Sequence, residues 1–334
     1  MQEIHTQAFA RAGLIGNPSD GYNGKTIAFS VRNFSASVWL TESANIEIVP
    51  HGNDIDCYSS ISSLHDHISL HGYYGGVRLI KATIKLFFEY CRKTGRPLHG
   101  QNFTIRYDSA IPQQVGLAGS SAIIVATLRA LMKFYSVKID QVVQPSLVLA
   151  VEQRELGISG GLQDRVIQVY EGLMQMDFTA AASQQIDGFE CGSYQRLEVS
   201  ALPSLYLAYR PATSEPTEVF HNDLRARFDA GEVLVRNAMK QFARLTDEAN
   251  SALQRSDSEA FFNAINENYD LRNSMCSLNP LHSEMVAVAR SQGASAKFAG
   301  SGGAIVGSYK GDDQYRNLEK ALQAIGCVVF KPDI

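Results

Sequence analysis

Apolar and polar residues alternate over the first fifty positions of this chain. Apolar runs at Ile27-Ala-Phe-Ser-Val31, Ala36-Ser-Val-Trp-Leu40 and Ile46-Glu-Ile-Val49 are broken by Gly, Pro and Asn, the rhythm of strands joined by turns. The period then changes. Between residues 72 and 94 the apolar positions Val77, Ile80, Ile84, Phe87, Phe88 and Cys91 share a helical face, and Gly95 stands where a C-cap belongs. Phe103-Thr-Ile-Arg-Tyr107 alternates as a strand, and the spacing predicts helices after Ser121, over 145–156, and around Asp164 to Tyr170. Strands are expected over 172–178 and 205–209, a charged helical stretch over 217–292, and a strand with a glycine turn over 296–308. Pro203, Pro211 and Pro216 mark a seam near 195–215. A chain of 334 residues exceeds one ordinary core, so two lobes are expected, 1–200 and 201–334.

Bulk chemistry narrows the class of protein. The chain is 45% hydrophobic and 19% charged, which suits a folded domain rather than a disordered one. A net charge of −4 offers no basic field for nucleic acid or an anionic membrane. No apolar run approaches the length of a membrane span, and the N-terminus lacks the apolar stretch of a secretory signal. Five cysteines, odd in number and never spaced C-x-x-C, argue against a disulfide framework or a zinc site. A cytoplasmic enzyme acting on a small molecule, with no nucleic-acid or membrane partner, is the expectation.

Four segments carry candidate chemistry. Pro112-Gln-Gln-Val-Gly116-Leu117-Ala118-Gly119-Ser120-Ser121-Ala122 places two glycines and two serines ahead of an amphipathic run. Glycines let backbone wrap an anion, and a helix start offers unpaired N–H groups and partial positive charge. The same run is also an ordinary start for a core helix. It is not a Walker A loop: Gly24-Lys25-Thr26 ends like one, but Ser19 stands where the first glycine is required. Gly116-Leu-Ala-Gly119 does not fit G-x-G-x-x-G either. A second cluster, Lys297-Phe-Ala-Gly300-Ser301-Gly302-Gly303, reads as a hairpin or as a second flexible segment over the same phosphates. Arg11 with Gly16-Asn17-Pro18-Ser19-Asp20 supplies short polar side chains suited to sugar hydroxyls, or an ordinary Asn-Pro turn. Glu152 with Gly161-Leu-Gln-Asp164-Arg165 supplies carboxylates fit for a base, a magnesium ligand, or a helix cap.

Taken in order, these four segments resemble the GHMP kinases over nearly the whole chain. Within that family, Gly72-Tyr-Tyr-Gly-Gly-Val-Arg78-Leu79, Glu155-Leu-Gly157 and Gly161-Leu-Gln-Asp-Arg165 resemble the plant-type glucuronokinases. The resemblance implies an α+β chain of two lobes, the first like domain 2 of ribosomal protein S5 and the second ferredoxin-like. It implies an ATP-dependent kinase that phosphorylates the anomeric hydroxyl of glucuronate. ATP would lie on Pro112, Gly116, Leu117, Ala118, Gly119, Ser120, Ser121, Ala122 and Gly302, with Mg²⁺ on Ser121 and Glu152. Asp164 would take the hydroxyl proton, and Arg11 would keep it ionised and oriented. The sugar would meet Asn17, Ser19, Asp20, Gly300 and Ser301. A uronic acid also needs a cation, for which Arg78, Arg165 and Arg272 are the candidates.

Overall fold

The computed structural model describes residues 3–54, 60–61, 75–211 and 224–334. Its first two strands, β1 (Ile4–Ile15) and β2 (Lys25–Ser43), pair antiparallel, with irregularities between Phe9 and Ala10 and between Gly13 and Ile15. The two halves of β2 read differently for a physical reason. Thr26–Val31 is buried without a break, as in a strand covered on both faces, whereas Ala36, Val38 and Leu40 alternate with more exposed neighbours. β3 (Glu47–Val49) runs parallel to β4 (Asn102–Ser109), which pairs with the alternating half of β2. β5 (Leu173–Asp177) pairs with the buried half and is followed outward by β8 (Ser193–Leu197). A separate hairpin is formed by β6 (Gln184–Ile186) and β7 (Phe189–Cys191).

Four helices belong to this first half: α1 (Gly76–Lys93), α2 (Gly119–Phe134), α3 (Gln144–Ala150) and α4 (Gln163–Tyr170). α2 and α4 lie on β1 and β2, and α1 lies on α2. The helix expected over 72–94 is α1, and residues 72–74 lie outside the described residues. The one expected over 145–156 is α3 continued by a π-turn at Val151–Glu155, a local widening that often marks a functional position. Glu152 sits in it.

The second sheet runs in the order β10 (Lys297–Phe298), β11 (Ala304–Ser308), β9 (Leu205–Tyr209), β12 (Val328–Phe330), all antiparallel. α7 (Pro280–Ser291) and α8 (Gly311–Ala324) bury Met285, Val286, Leu318 and Leu322 with Phe298 and Ile305 of the sheet. α5 (Val233–Gln254) and α6 (Ser258–Met275) pack on each other and reach back to the first sheet. Leu245, Ala249, Phe261 and Ile265 therefore join the same core as Leu14, Ile27 and Phe29. No helix among the described residues is long and apolar enough to cross a membrane. The consequence for function is convergence: the end of β1, the loop before α2, the start of α4 and the β10–β11 turn meet at one place.

Candidate active site

Arg11, 5% exposed, is the point where those segments are joined. Its Nε and Nη2 donate to Asp164 Oδ1 and Oδ2 at 2.6 and 2.8 Å, a bidentate fork. Its Nη1 donates to the carbonyls of Gly116 at 2.6 Å and Ala299 at 3.2 Å. One guanidinium thus holds the first-turn carboxylate of α4, the loop before α2, and the turn of the second sheet. Backbone bonds repeat the pattern: Arg11 N–H donates to Leu117 O at 3.3 Å and Gly13 N–H to Ala299 O at 2.8 Å. The Asp164 side chain is 19% exposed, so its carboxylate is held by the fork and still reached from solvent. A hydroxyl brought to it finds an oriented acceptor.

The two glycine turns touch one another. A Cβ on Gly300 would stand 2.2 Å from Gly116 O, and one on Gly116, at φ +74°, 2.6 Å from Gly302 O. Only glycine permits that backbone contact. The carbonyls of Gly300 and Ser301 accept from Arg272 Nη1 and Nη2 at 2.7 and 2.6 Å, which fixes the turn from behind. Ahead of α2, Pro112 is partly exposed, Leu117 buried, and Ala118 stands in the left-handed region at φ +63°. Ala118 O accepts from Gln168 Nε2 at 2.7 Å and Ser121 Oγ at 3.3 Å. Gly119, Ser120, Ser121 and Ala122 form the first turn of α2, whose leading N–H groups lack intrahelical acceptors and carry partial positive charge. A helix start of this kind can seat phosphate oxygens.

On the other side of Asp164 the three polar residues after β1 part company. Ser19 is fully buried and its Oγ donates to Lys25 O at 3.0 Å. The expectation that it meets a sugar is corrected, because the 3₁₀ turn at Ser19–Tyr22 points it inward. Asn17, 4% exposed, accepts through Oδ1 from Lys297 Nζ at 2.5 Å. Lys297 also donates to the carbonyls of Gly13 and Phe298 at 2.7 and 2.8 Å, and burial with the nearby cations Arg272 and Arg11 pushes its ammonium well below the usual range. Asp20 stays partly exposed, accepting from Gln163 N–H at 3.2 Å. Desolvation, then the charge of Asp164, pushes its carboxyl up to about 6.

Glu152, 2% exposed, accepts on Oε2 from Arg165 Nε at 2.6 Å and from Arg165 Nη2. Arg165 Nη1 also lies 3.4 Å from Asp164 Oδ2. Arg165 and Arg272 are therefore buried and engaged within the protein, which corrects their expected availability to a substrate carboxylate. Arg78 lies in the first turn of α1, whose Gly76 sits against Tyr107 near the end of β4. Among the described residues no cluster of three or more His, Cys, Asp or Glu is placed to hold a metal ion. Glu152 is held by Arg165 and Ser121 Oγ by Ala118 O; carboxylate and hydroxyl oxygens are the donor types a magnesium ion takes, with phosphate and water oxygens completing its shell.

Two groups escaped the sequence reading. Lys297 was visible only as the first residue of a glycine turn. Arg225, beyond the proline seam, donates to Gly21 O at 2.6 Å, a contact across 204 positions that no local pattern signals.

The family described as "GHMP kinases N terminal domain" matches residues 78–172. The chain is 41% identical over 330 residues to glucuronokinase 1 of Arabidopsis thaliana, covering 97% of this chain and 90% of that one. It is 42% identical over 331 residues to probable glucuronokinase 2 of the same organism, covering 97% and 89%. Galactokinase of Lactococcus lactis, solved in complex with galactose, matches with a TM-score of 0.80 over 100% of this chain and 94% of that chain. At 13% identity that likeness is one of fold.

Proposed function

We propose a reaction for this chain from one premise: it belongs to the GHMP kinase family, among the glucuronokinases. It is an ATP-dependent sugar kinase, and the reaction transfers the γ-phosphoryl group of ATP to the anomeric hydroxyl of D-glucuronate, giving glucuronate 1-phosphate and ADP. Asp164 accepts the hydroxyl proton as the sugar oxygen bonds to phosphorus and the bond to the β-phosphate oxygen breaks. Arg11 is the positioning residue, since its fork sets the plane of that carboxylate. Catalysis of this kind rests chiefly on placement and charge stabilisation. The start of α2 receives the phosphates. Mg²⁺, carried on ATP, would be held by Ser121 and Glu152 and would neutralise developing phosphate charge. Residues 1–200 and 201–334 act as the two lobes that hold ATP and sugar between them, and the enzyme works in the cytoplasm.

The observation that carries this reading is the single guanidinium of Arg11, bonded at once to Asp164, to Gly116 and to Ala299. It locks an acceptor for a proton beside the loop suited to phosphate. An ADP-release assay with Mg-ATP against glucuronate, galacturonate, glucose, galactose, arabinose and a heptose 7-phosphate tests it. Turnover of glucuronate well above the others is expected. Turnover confined to another sugar would keep the kinase and discard glucuronate.

A further inference from the structure

Resting on the glucuronate reading and deepening it, we propose that Arg225, with Arg154 across the same cavity, receives the carboxylate of the acid sugar. A cavity of about 290 Å³ opens beside the site, lined by Asp20, Gly161, Arg154, Arg225, Phe189 and Glu190 among others. It stands at the lower end of the ~300–1,000 Å³ range of small-molecule sites, a size for one compact ligand. A uronate is anionic at neutral pH, so its pocket must supply a cation, and a guanidinium fork matches a carboxylate best.

The arginines around Asp164 sort themselves by what they already hold. Arg11 is bonded to Asp164, Arg165 to Glu152, and Arg272 to the carbonyls of Gly300 and Ser301. Arg225 differs. It rises from the helical turn at 224–229, is steadied by Gly21 O and by the Tyr22 ring at 4.5 Å, and remains 43% exposed. The carboxylate it pairs with, Asp229, lies 3.9 Å away and is 62% exposed. Arg154 is exposed, on the π-turn, with its guanidinium 5.3 Å from the Phe189 ring. Two oriented cations thus face a cavity whose wall also carries Asp20. An ionised Asp20 repels a carboxylate and accepts hydroxyls, so the ring enters with its hydroxyls toward Asp20 and its acid toward the arginines. Glu190, the other acid on the wall, is bonded to Ser183 Oγ at 2.7 Å.

The test compares D-glucuronate with its neutral amide, D-glucuronamide, as acceptors for wild type, Arg225→Met, Arg225→Lys and Arg154→Met. In wild type the acid should have the lower KM. Arg225→Met should cut that preference by about 10- to 100-fold, the scale of a lost charged hydrogen bond. Arg225→Lys should keep part of it, and Arg154→Met should reduce it by about two- to fivefold. Equal losses on acid and amide would overturn the assignment, because a structural role moves both. An unmoved preference in Arg225→Met, with wild type active on glucuronate, would overturn it while leaving the proposed function intact. Wild type inactive on glucuronate would overturn both. Should Arg225→Met fail to fold, the Lys variant and the exposed Arg154 decide by the same ratio.

Discussion

The Asp164 side and the Asp20 side of this site are built on opposite plans. Around Asp164 every nearby cation is bonded: Arg11 binds four acceptor atoms, and Arg165 binds Glu152 and the carbonyl of Gly161 at 2.8 Å. Around Asp20 the wall is open, with a raised carboxyl and two arginines that reach solvent. On the proposed reaction, the difference separates chemistry from recognition. Proton transfer needs a carboxylate held to within tenths of an ångström, and a web of bonds to backbone carbonyls supplies that. A sugar must enter and leave, and the ligands proposed for it are steadied on one side, Arg225 by Gly21 O and Asp20 by Gln163 N–H, while staying partly open to solvent.

The largest expected effect breaks the closed side. Asp164→Asn keeps the shape and removes the proton acceptor, so kcat should fall by about 10²–10⁴-fold. ATP affinity, measured by titration, should change little. A variant turning over near the wild-type rate would remove Asp164 from the reaction.

The closed side was also the legible one. Gly116, Asp164 and Gly300 sit in short runs whose residue types announce tight turns and helix starts, and the loop before α2, the helix that carries Asp164 and the glycine turn form where those runs predict them. Ser19 shows where that ends. Its sequence neighbours suggest a polar turn, but which way a hydroxyl faces depends on the following strand, and Lys25 O draws it inward. Lys297 illustrates the same limit with the opposite sign, since a lysine is ordinarily a surface residue and this one is 1% exposed. Its three acceptors come from β1, the residue after it, and Asn17, of which only one is local. The specificity wall was illegible because Arg154 and Arg225 belong to different elements and meet only through the cavity.

A smaller effect sharpens the open side. With its carboxyl raised to about 6 by desolvation and by Asp164, Asp20 protonates on mild acidification and ceases to be a pure acceptor. The KM for the sugar should therefore rise as pH falls through 6, by roughly tenfold at pH 5, while the KM for ATP holds. In Asp20→Asn the sugar KM should be higher at neutral pH and flat across that window. Stability moves the other way. A carboxyl whose folded value is raised favours the fold most below its unfolded value near 4, and that contribution is lost as pH rises through about 6. Asp20→Asn should thus gain relative melting temperature between pH 4 and 7; a constant difference would deny the desolvation of Asp20.

The smallest effect returns to the closed side and asks how it tolerates strain. Ala118 holds φ +63° just before α2, in a region that costs an L-residue about 1–2 kcal/mol. Its carbonyl repays the position by accepting from Gln168 and Ser121, so the strained peptide is what aims the loop at the helix start. Glycine adopts the same φ freely but loses more backbone entropy on folding, about 0.5–1 kcal/mol. Ala118→Gly should therefore shift unfolding free energy by about 0–1.5 kcal/mol toward greater stability, with the KM for ATP unchanged. Ala118→Val should do the reverse and raise that KM, because a β-branched residue resists the left-handed region and would pull Ala118 O from its donors. If valine left both the melting curve and the KM untouched, the left-handed turn would not be what positions the loop.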